Sequence, residues 1–177
     1  PYRKPQFFKV LVRSIFDRTL FVLGRAVVVA IPSGLILWLL ANTYIGNSSI
    51  LCICADFLNP FARIFGLDGV ILIAFILGLP ANEIVVPIMI MAYMSQGNLT
   101  ELDTASLHQL FLDNGWTPST AICVMIFSLM HWPCATTLLT IKKETGSLKW
   151  TFLSLALPTA CGFLICFLFN SAVKIFS

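Results

Sequence analysis

Apolar residues in this chain come in long runs separated by short polar blocks. The run from Thr19 to Ala41, "TLFVLGRAVVVAIPSGLILWLLA", supplies roughly the 20 residues a helix needs to cross a hydrocarbon core. Arg25 lies near its start, where a long side chain can snorkel to the interface. Asn42 to Ser49 is polar and predicts a loop. Ile50 to Phe65 is apolar but interrupted by Asp56, Pro60 and Arg63, and a further run extends from Leu67 to Met94, broken at "GLPANE". A polar segment covers Ser95 to Ser119, and two more spans are expected over Thr120 to Ile141 and Trp150 to Asn170. The pattern predicts an all-α integral membrane protein, a helical bundle with a broken or re-entrant helical hairpin.

Charges between the runs give an orientation. Arg3, Lys4, Lys9, Arg13 and Arg18 precede the first span against Asp17 alone, and Lys142, Lys143 and Lys149 lie between the last two against Glu144. The segment 95–119 carries Glu101, Asp103 and Asp113 with no Lys or Arg. By the positive-inside rule the basic regions are cytoplasmic and the acidic loop is external. Residues 42–94 then cross the membrane twice or not at all. A charge at Asp56 and a lost backbone donor at Pro60 are costly in lipid, which favours a hairpin entering and leaving by one face and turning at "GLPANE".

The expected organisation is a basic interfacial helix over 1–18, a gate-like unit over 19–94 broken at 78–83, an external acidic loop over 95–119, and two transmembrane helices over 120–170 joined by a cytoplasmic loop at 142–149. In the first of these, "FFKVLVRSIF" (7–16) reads either as a helix on the inner membrane surface or as a plain lead-in to the first span.

Composition strengthens the membrane reading. Only 11% of residues are charged, under half of what a soluble domain carries, and 58% are hydrophobic. The small net charge of +3 is spent on topology rather than on a nucleic-acid surface, so no nucleic acid is expected as a partner. The chain begins at Pro1 without Met and has no signal peptide and no G-x-x-x-x-G-K-[ST] stretch, so it is expected to be the C-terminal portion of something longer. The six cysteines follow neither zinc nor disulfide spacing and read mostly as small core residues.

The break "GLPANE" is the first candidate for chemistry. Pro80 disfavours helix at Leu79 and suits the first turn of a new half-helix, with Gly78 supplying the turn. Glu83 then falls near a helix N-terminus, whose dipole favours negative charge, and Asn82 adds an amide. Irregular backbone at membrane depth is tolerated only where it faces protein or a water-filled cavity. Glu83 therefore reads as a residue that binds or passes a cation, against the plainer reading that it caps its own half-helix or pairs with Arg25 or Arg63.

The second candidate is "MHWPCATT", from Met130 to Thr137. Pro133 frees a carbonyl near Leu129 or Met130, and His131 and Cys134, three apart, share a helix face. A carbonyl, an imidazole and a thiol together suit a borderline metal such as Fe²⁺. The alternative is a proline kink with a packed Cys and a bonded His. Fewer expectations attach elsewhere: His108 to a short surface helix, Met89, Met91 and Met94 to core or lipid contacts, and Cys52 and Cys54 to a redox or metal pair.

The stretches "PYRKP", "DRTLFVLGRAVVVAIPSGLILWLLAN", "GLPANEIVVP" and "PCATTLLTIKKETGSLKW" resemble the C-terminal membrane region of the FeoB family, bacterial ferrous iron transport proteins. The resemblance runs from Pro1 to about Asn170. Asn82 stands where many members carry Lys, which removes a positive charge beside Glu83. The resemblance implies the second of two gate modules in a multi-pass protein of the bacterial inner membrane, with its N-terminal side cytoplasmic. A first gate module and a cytoplasmic G domain would belong to the parent chain, with GTP bound only there, and homo-oligomers are possible partners alongside lipid.

It further implies Fe²⁺ as the transported ion, held transiently by Cys134 and Glu83, with no tightly bound cofactor and no enzymatic activity in this segment. It adds nothing at His131, where the family varies. A gate-type module for another solute such as a nucleoside, and a non-transporting assembly module, are the alternatives.

Overall fold

The computed structural model of the chain describes residues 7–46, 48–99 and 101–176. Eight helices follow in order: α1 (Phe7–Asn42), α2 (Ile50–Ile64), α3 (Gly69–Leu77), α4 (Val85–Tyr93), α5 (Thr104–Asp113), α6 (Pro118–Met130), α7 (Ala135–Thr145) and α8 (Leu148–Phe176). A two-residue antiparallel ladder, β1 (Tyr44–Ile45) with β2 (Ser48–Ser49), turns the chain between α1 and α2. Three segments are long and apolar enough to cross a membrane: Val22–Asn42, Pro118–Thr145 and Leu148–Ile175. The chain is an all-α membrane module.

The hairpin of α3 and α4 is the feature around which the rest is arranged. Each helix has nine residues, about 14 Å at 1.5 Å per residue, so neither spans a hydrocarbon core of about 30 Å alone. Asp68 closes its open end: its Oδ1 accepts from the backbone N–H of Ile71 at 2.7 Å, capping α3, and its Oδ2 accepts from the Tyr93 hydroxyl at the end of α4. The Tyr93 oxygen in turn accepts from Trp116 Nε1 at 2.9 Å, and Trp116 stacks on Phe111 of α5 at 4.0 Å. At the closed end Gly78 is needed because a Cβ there would meet the Val85 side chain.

α2 meets α3 at 109°. Gly69 permits the crossing, since a Cβ would run into the Ala55 carbonyl oxygen and lie 2.9 Å from the Asn59 nitrogen. The carbonyls left over at the end of α2 are satisfied by α8: Asn170 Nδ2 donates to Ile64 O at 3.1 Å and Arg63 O at 3.4 Å. α6 packs on α8 through small residues. Gly162 admits Met130, and the Cys166 thiol donates to the Cys123 carbonyl at 3.4 Å. Phe127 bridges this pair to the hairpin, 4.9 Å from Phe75 and 4.8 Å from Phe163. The core is this layer of hairpin, α2 and α6, and much of the outer surface of α1 and α8 is exposed leucine, isoleucine, valine and phenylalanine, as lipid contact requires.

Several expected boundaries are corrected. The boundary at 18/19 falls inside α1, because nothing between Phe7 and Thr19 breaks a helix; residues 1–6 lie outside the described residues. Asp56 and Pro60 do not interrupt α2, which runs unbroken through both, each on its exposed face. The span expected over Thr120 to Ile141 is two helices separated at 131–134. The loop expected at 142–149 is mostly helix: α7 continues to Thr145, stops at Gly146 with φ 63°, and α8 starts at Leu148. His108 does sit on a short helix, α5, and Met89 and Met91 are core residues.

Replacing Gly69 with Val is expected to lower the thermal midpoint in detergent by an amount matching about 1–3 kcal/mol of overpacking, with Gly34→Ala, whose Cβ meets nothing, as the unaffected control. A second expectation concerns Asp103, which caps α5 through Ser106; the hydrogen bonds from the Ser106 hydroxyl and N–H hold its carboxyl below the usual carboxylate range. Because the folded value is depressed, the cap's contribution is present above the ordinary carboxylate pKa and is lost as pH falls through the depressed one. Protection of the first-turn amides of α5, taken as exchange relative to the intrinsic rate at each pH, should fall over that acidic window and should stay flat across it in Asp103→Ala.

Candidate functional site

The two breaks in the chain meet. Pro80 removes one backbone donor from the α3–α4 turn, and Pro133 supplies none to the carbonyl of Leu129. Across the gap the N–H of Ala135, the first residue of α7, donates to the carbonyl of Leu79 at 2.8 Å. One orphan donor of a helix start is thus paired with one carbonyl of a helix break, where lipid offers no water to pair either.

On the hairpin side, a 3-10 turn, Asn82–Ile84, precedes α4. Pro80 lies before the Ala81 cap rather than in the first turn of the new helix, which corrects the expected register by two residues. Asn82 and Glu83 are both exposed on this turn. Glu83 neither caps α4 through its side chain nor pairs with Arg25 or Arg63: Arg25 donates to Thr140 Oγ1 at 2.8 Å and Arg63 Nε to Asn59 Oδ1 at 3.2 Å. Among the described residues its carboxylate has no hydrogen-bond or salt-bridge partner.

On the other side, residues 131–134 are extended rather than kinked helix, so His131 and Cys134 do not share a helix face as spacing suggested. His131 ends α6 and turns inward, 9% exposed, against Phe75 at 4.9 Å. Its Nδ1 lies 2.8 Å from the Ser128 carbonyl, which makes Nδ1 the protonated nitrogen and leaves Nε2 buried without a partner. Trp132 Nε1 is likewise buried and unpaired. Cys134 stands at the N-cap position of α7 without a side-chain cap bond, its sulfur 3.1 Å from the hydroxyls of both Thr136 and Thr137. The thiol, the imidazole and a freed carbonyl are therefore not one cluster. Among the described residues no three His, Cys, Asp or Glu side chains gather as a metal site. Cys52 and Cys54 are free thiols.

The structure thus joins the backbones of the two candidate stretches and keeps their side chains apart. Two polar cavities of about 260 and 290 Å³ share Arg63, Asp68 and Asn114 at the opposite, open end of the hairpin. Neither the Leu79–Ala135 bond nor Asp68 was flagged by the sequence reading. For Asp68 a signal existed: an Asp directly before an apolar run is a helix N-cap pattern.

A family model described as "Gate: Nucleoside recognition" matches residues 23–148, which include both breaks. This chain belongs to the Gate family. It is similar to proteins named "Fe(2+) transporter FeoB": 29% identical to that of Staphylococcus aureus (strain COL) over 99% of this chain, and 27% to that of Synechocystis sp. (strain ATCC 27184 / PCC 6803 / Kazusa) over 96%. The resemblance carried by the motifs therefore extends along almost the whole chain. The chain spans about a quarter of the length of these relatives, 26% and 27% respectively. No solved structure matches it significantly.

Ala135→Pro tests the junction, since it removes the N–H and sets the ring Cδ against the Leu79 carbonyl, so that the two breaks must part. The first position of a helix accepts proline, and Cys134 already has the extended backbone that a residue before proline prefers. Loss of the N–H leaves Leu79 O unpaired, and the variant should be less stable by about 1–3 kcal/mol in detergent unfolding.

Proposed function

We propose that this Gate module is part of a ferrous iron importer, forming the second half of its membrane ion pathway. The observation that carries the proposal is the pairing of two broken helices at Leu79 and Ala135, the breaks beside which Glu83 and Cys134 stand in the sequence. The relatives named as Fe(2+) transporters along nearly the full chain support it.

Fe²⁺ is the substrate rather than a resident cofactor. A borderline cation leaving water exchanges its hydration for carboxylate oxygen, thiol sulfur and backbone carbonyls. Asn82 orients on the same turn as Glu83, and His131 offers a buried Nε2 deeper in the module. Pro80, Gly78 and Pro133 fix the breaks.

In this reading the α3–α4 hairpin re-enters the membrane from the external face, within a gate unit over 19–94. Segment 95–119 is external, and the basic segment 1–18 and Lys142, Lys143 and Lys149 lie on the cytoplasmic side of a bacterial inner membrane. The remaining pathway, and a GTP-binding domain that governs it, belong to the parent chain, alone or as a homo-oligomer. The description of the matching family favours a second reading, recognition of a nucleoside, which would call for more hydrogen-bonding side chains around the breaks than Asn82 and Glu83 provide.

Radiolabelled Fe²⁺ uptake by the full-length parent in cells lacking other ferrous importers separates these readings. Glu83→Gln and Cys134→Ser, present at normal membrane levels, should each reduce uptake at least about tenfold, as loss of a metal-contacting group does. Wild-type uptake in both, or inhibition of wild-type uptake by excess nucleoside, would count against the iron route.

A further inference from the structure

α2 carries three different faces. Leu51, Ala55 and Ala62 are buried, and this face rests on α3, where Gly69 comes against the Ala55 carbonyl. A second row, Cys52, Asp56, Asn59 and Arg63, follows the i, i+4, i+7, i+11 spacing of one helix side. All four line the cavity of about 260 Å³ that reaches Asp68 and Tyr93 at the open end of the hairpin. The third row is Ile53, Phe57, Phe61 and Ile64, again one helix side, and roughly 125° around from the second at 3.6 residues per turn. Each of its side chains is exposed, Phe57 by 82%.

The two ends of α2 fix where it runs. At its start the N–H of Ile50 donates to the Thr43 carbonyl at 2.9 Å, next to the end of α1. At its finish the carbonyls of Arg63 and Ile64 accept from Asn170, late in α8. α8 runs back along α6, with Gly162 against Met130 and Cys166 against Cys123, so Asn170 stands at the Pro118 end of the Pro118–Thr145 segment. Arg25 bonds to Thr140 near the other end of that segment, so α1 also finishes, at Asn42, on the Pro118 side. α2 therefore joins the same-side ends of two membrane-length helices. With 15 residues, about 22 Å, it is too short to cross a hydrocarbon core of about 30 Å, and α3 leaves it at 109°. Its apolar side continues into the surface of α8 through an aromatic seam, Phe61 lying 5.9 Å from Phe163 and Phe65 6.4 Å from Phe167. Leu164, Phe167 and Leu168 are exposed there, on a segment apolar enough to span a membrane.

We propose that α2 lies in the plane of the membrane surface, on the side of segment 95–119, with Ile53, Phe57, Phe61 and Ile64 among the acyl chains of the surrounding phospholipid. Its polar row then faces the water over the open end of the hairpin. An amphipathic helix settles at the boundary of headgroups and acyl chains because each of its faces finds its own solvent there. The placement also suits Asp56, whose carboxylate keeps its hydration at the surface and would lose it in the hydrocarbon. Asn114, at the end of α5, lines the same cavity, and Asn42 Nδ2 donates to the Gly97 carbonyl at 3.0 Å, so both ends of segment 95–119 lie on this side. The helix thereby separates the cavity from the bilayer, with one flank toward each. The inference concerns how the module sits in lipid and does not depend on which solute it passes.

The test places the photo-crosslinker benzoylphenylalanine, one position at a time, at Phe57, Phe61 and Asp56 of the full-length parent in cell membranes. After irradiation the peptide bearing each site is read by mass spectrometry and the whole protein by gel mobility. The peptides altered at Phe57 and Phe61 should gain the mass of a phospholipid, and the one altered at Asp56 should not. A cross-link from Phe57 and Phe61 to a second copy or to another segment of the parent overturns the proposal, because the apolar row would then be a protein interface. No adduct at either position overturns it as well, since the row would then face water. Lipid adducts at Asp56 equal to those at Phe57 would set α2 at membrane depth and overturn the surface placement. If the proteins altered at Phe57 and Phe61 fail to reach the membrane, the same label at Ile64 decides against the one at Asp56.

Discussion

A single backbone hydrogen bond, from the N–H of Ala135 to the carbonyl of Leu79, holds the two interrupted helices against each other. In lipid a helix break is tolerated only if the freed groups find partners inside the protein, and here each break supplies what the other lacks. The constraint reaches outward from this point. Gly78 has to be glycine so that α3 can turn into α4, and Phe127 has to fill the space between Phe75 and Phe163 so that α6 stays against the hairpin.

The other polar contacts obey the same rule at the far ends of the helices. Asp68 caps α3 and receives Tyr93, Trp116 donates to Tyr93, and Asn170 of α8 reaches over to the last carbonyls of α2. Side chains that the sequence scatters over a hundred residues serve the backbone groups that no helix can satisfy for itself. What remains unserved is correspondingly informative. Among the described residues Glu83 has no partner on its exposed turn, and the Nε2 of His131 has none in the core.

Both unserved groups lie on the packed part of the fold. The hairpin, α6 and α8 form a packed block around the junction, whereas the N-terminal limb of α1 stands off from it and returns at Arg25.

The membrane class, the three long apolar segments and the break at "GLPANE" were legible in the sequence, because apolar run length and proline act locally. So was the chemical interest of Glu83 and Cys134, since a carboxylate and a thiol beside prolines in an apolar run are unusual on sight. Local rules failed where a choice depends on a distant partner. Proline at 133 predicts a kink or a full break equally well; only the Leu79 carbonyl, more than fifty residues earlier, makes the full break stable by taking the Ala135 N–H, and with it turns His131 inward and Cys134 away. Arg25 likewise reads as a snorkelling residue until α7 places Thr140 within reach of it. The sequence by itself determined which segments are long and apolar enough to cross a membrane and that one run breaks at "GLPANE", because apolarity and backbone sterics are written residue by residue. Only the tertiary structure decided which broken end answers which, because a hydrogen bond between distant backbones leaves no trace in the order of side chains.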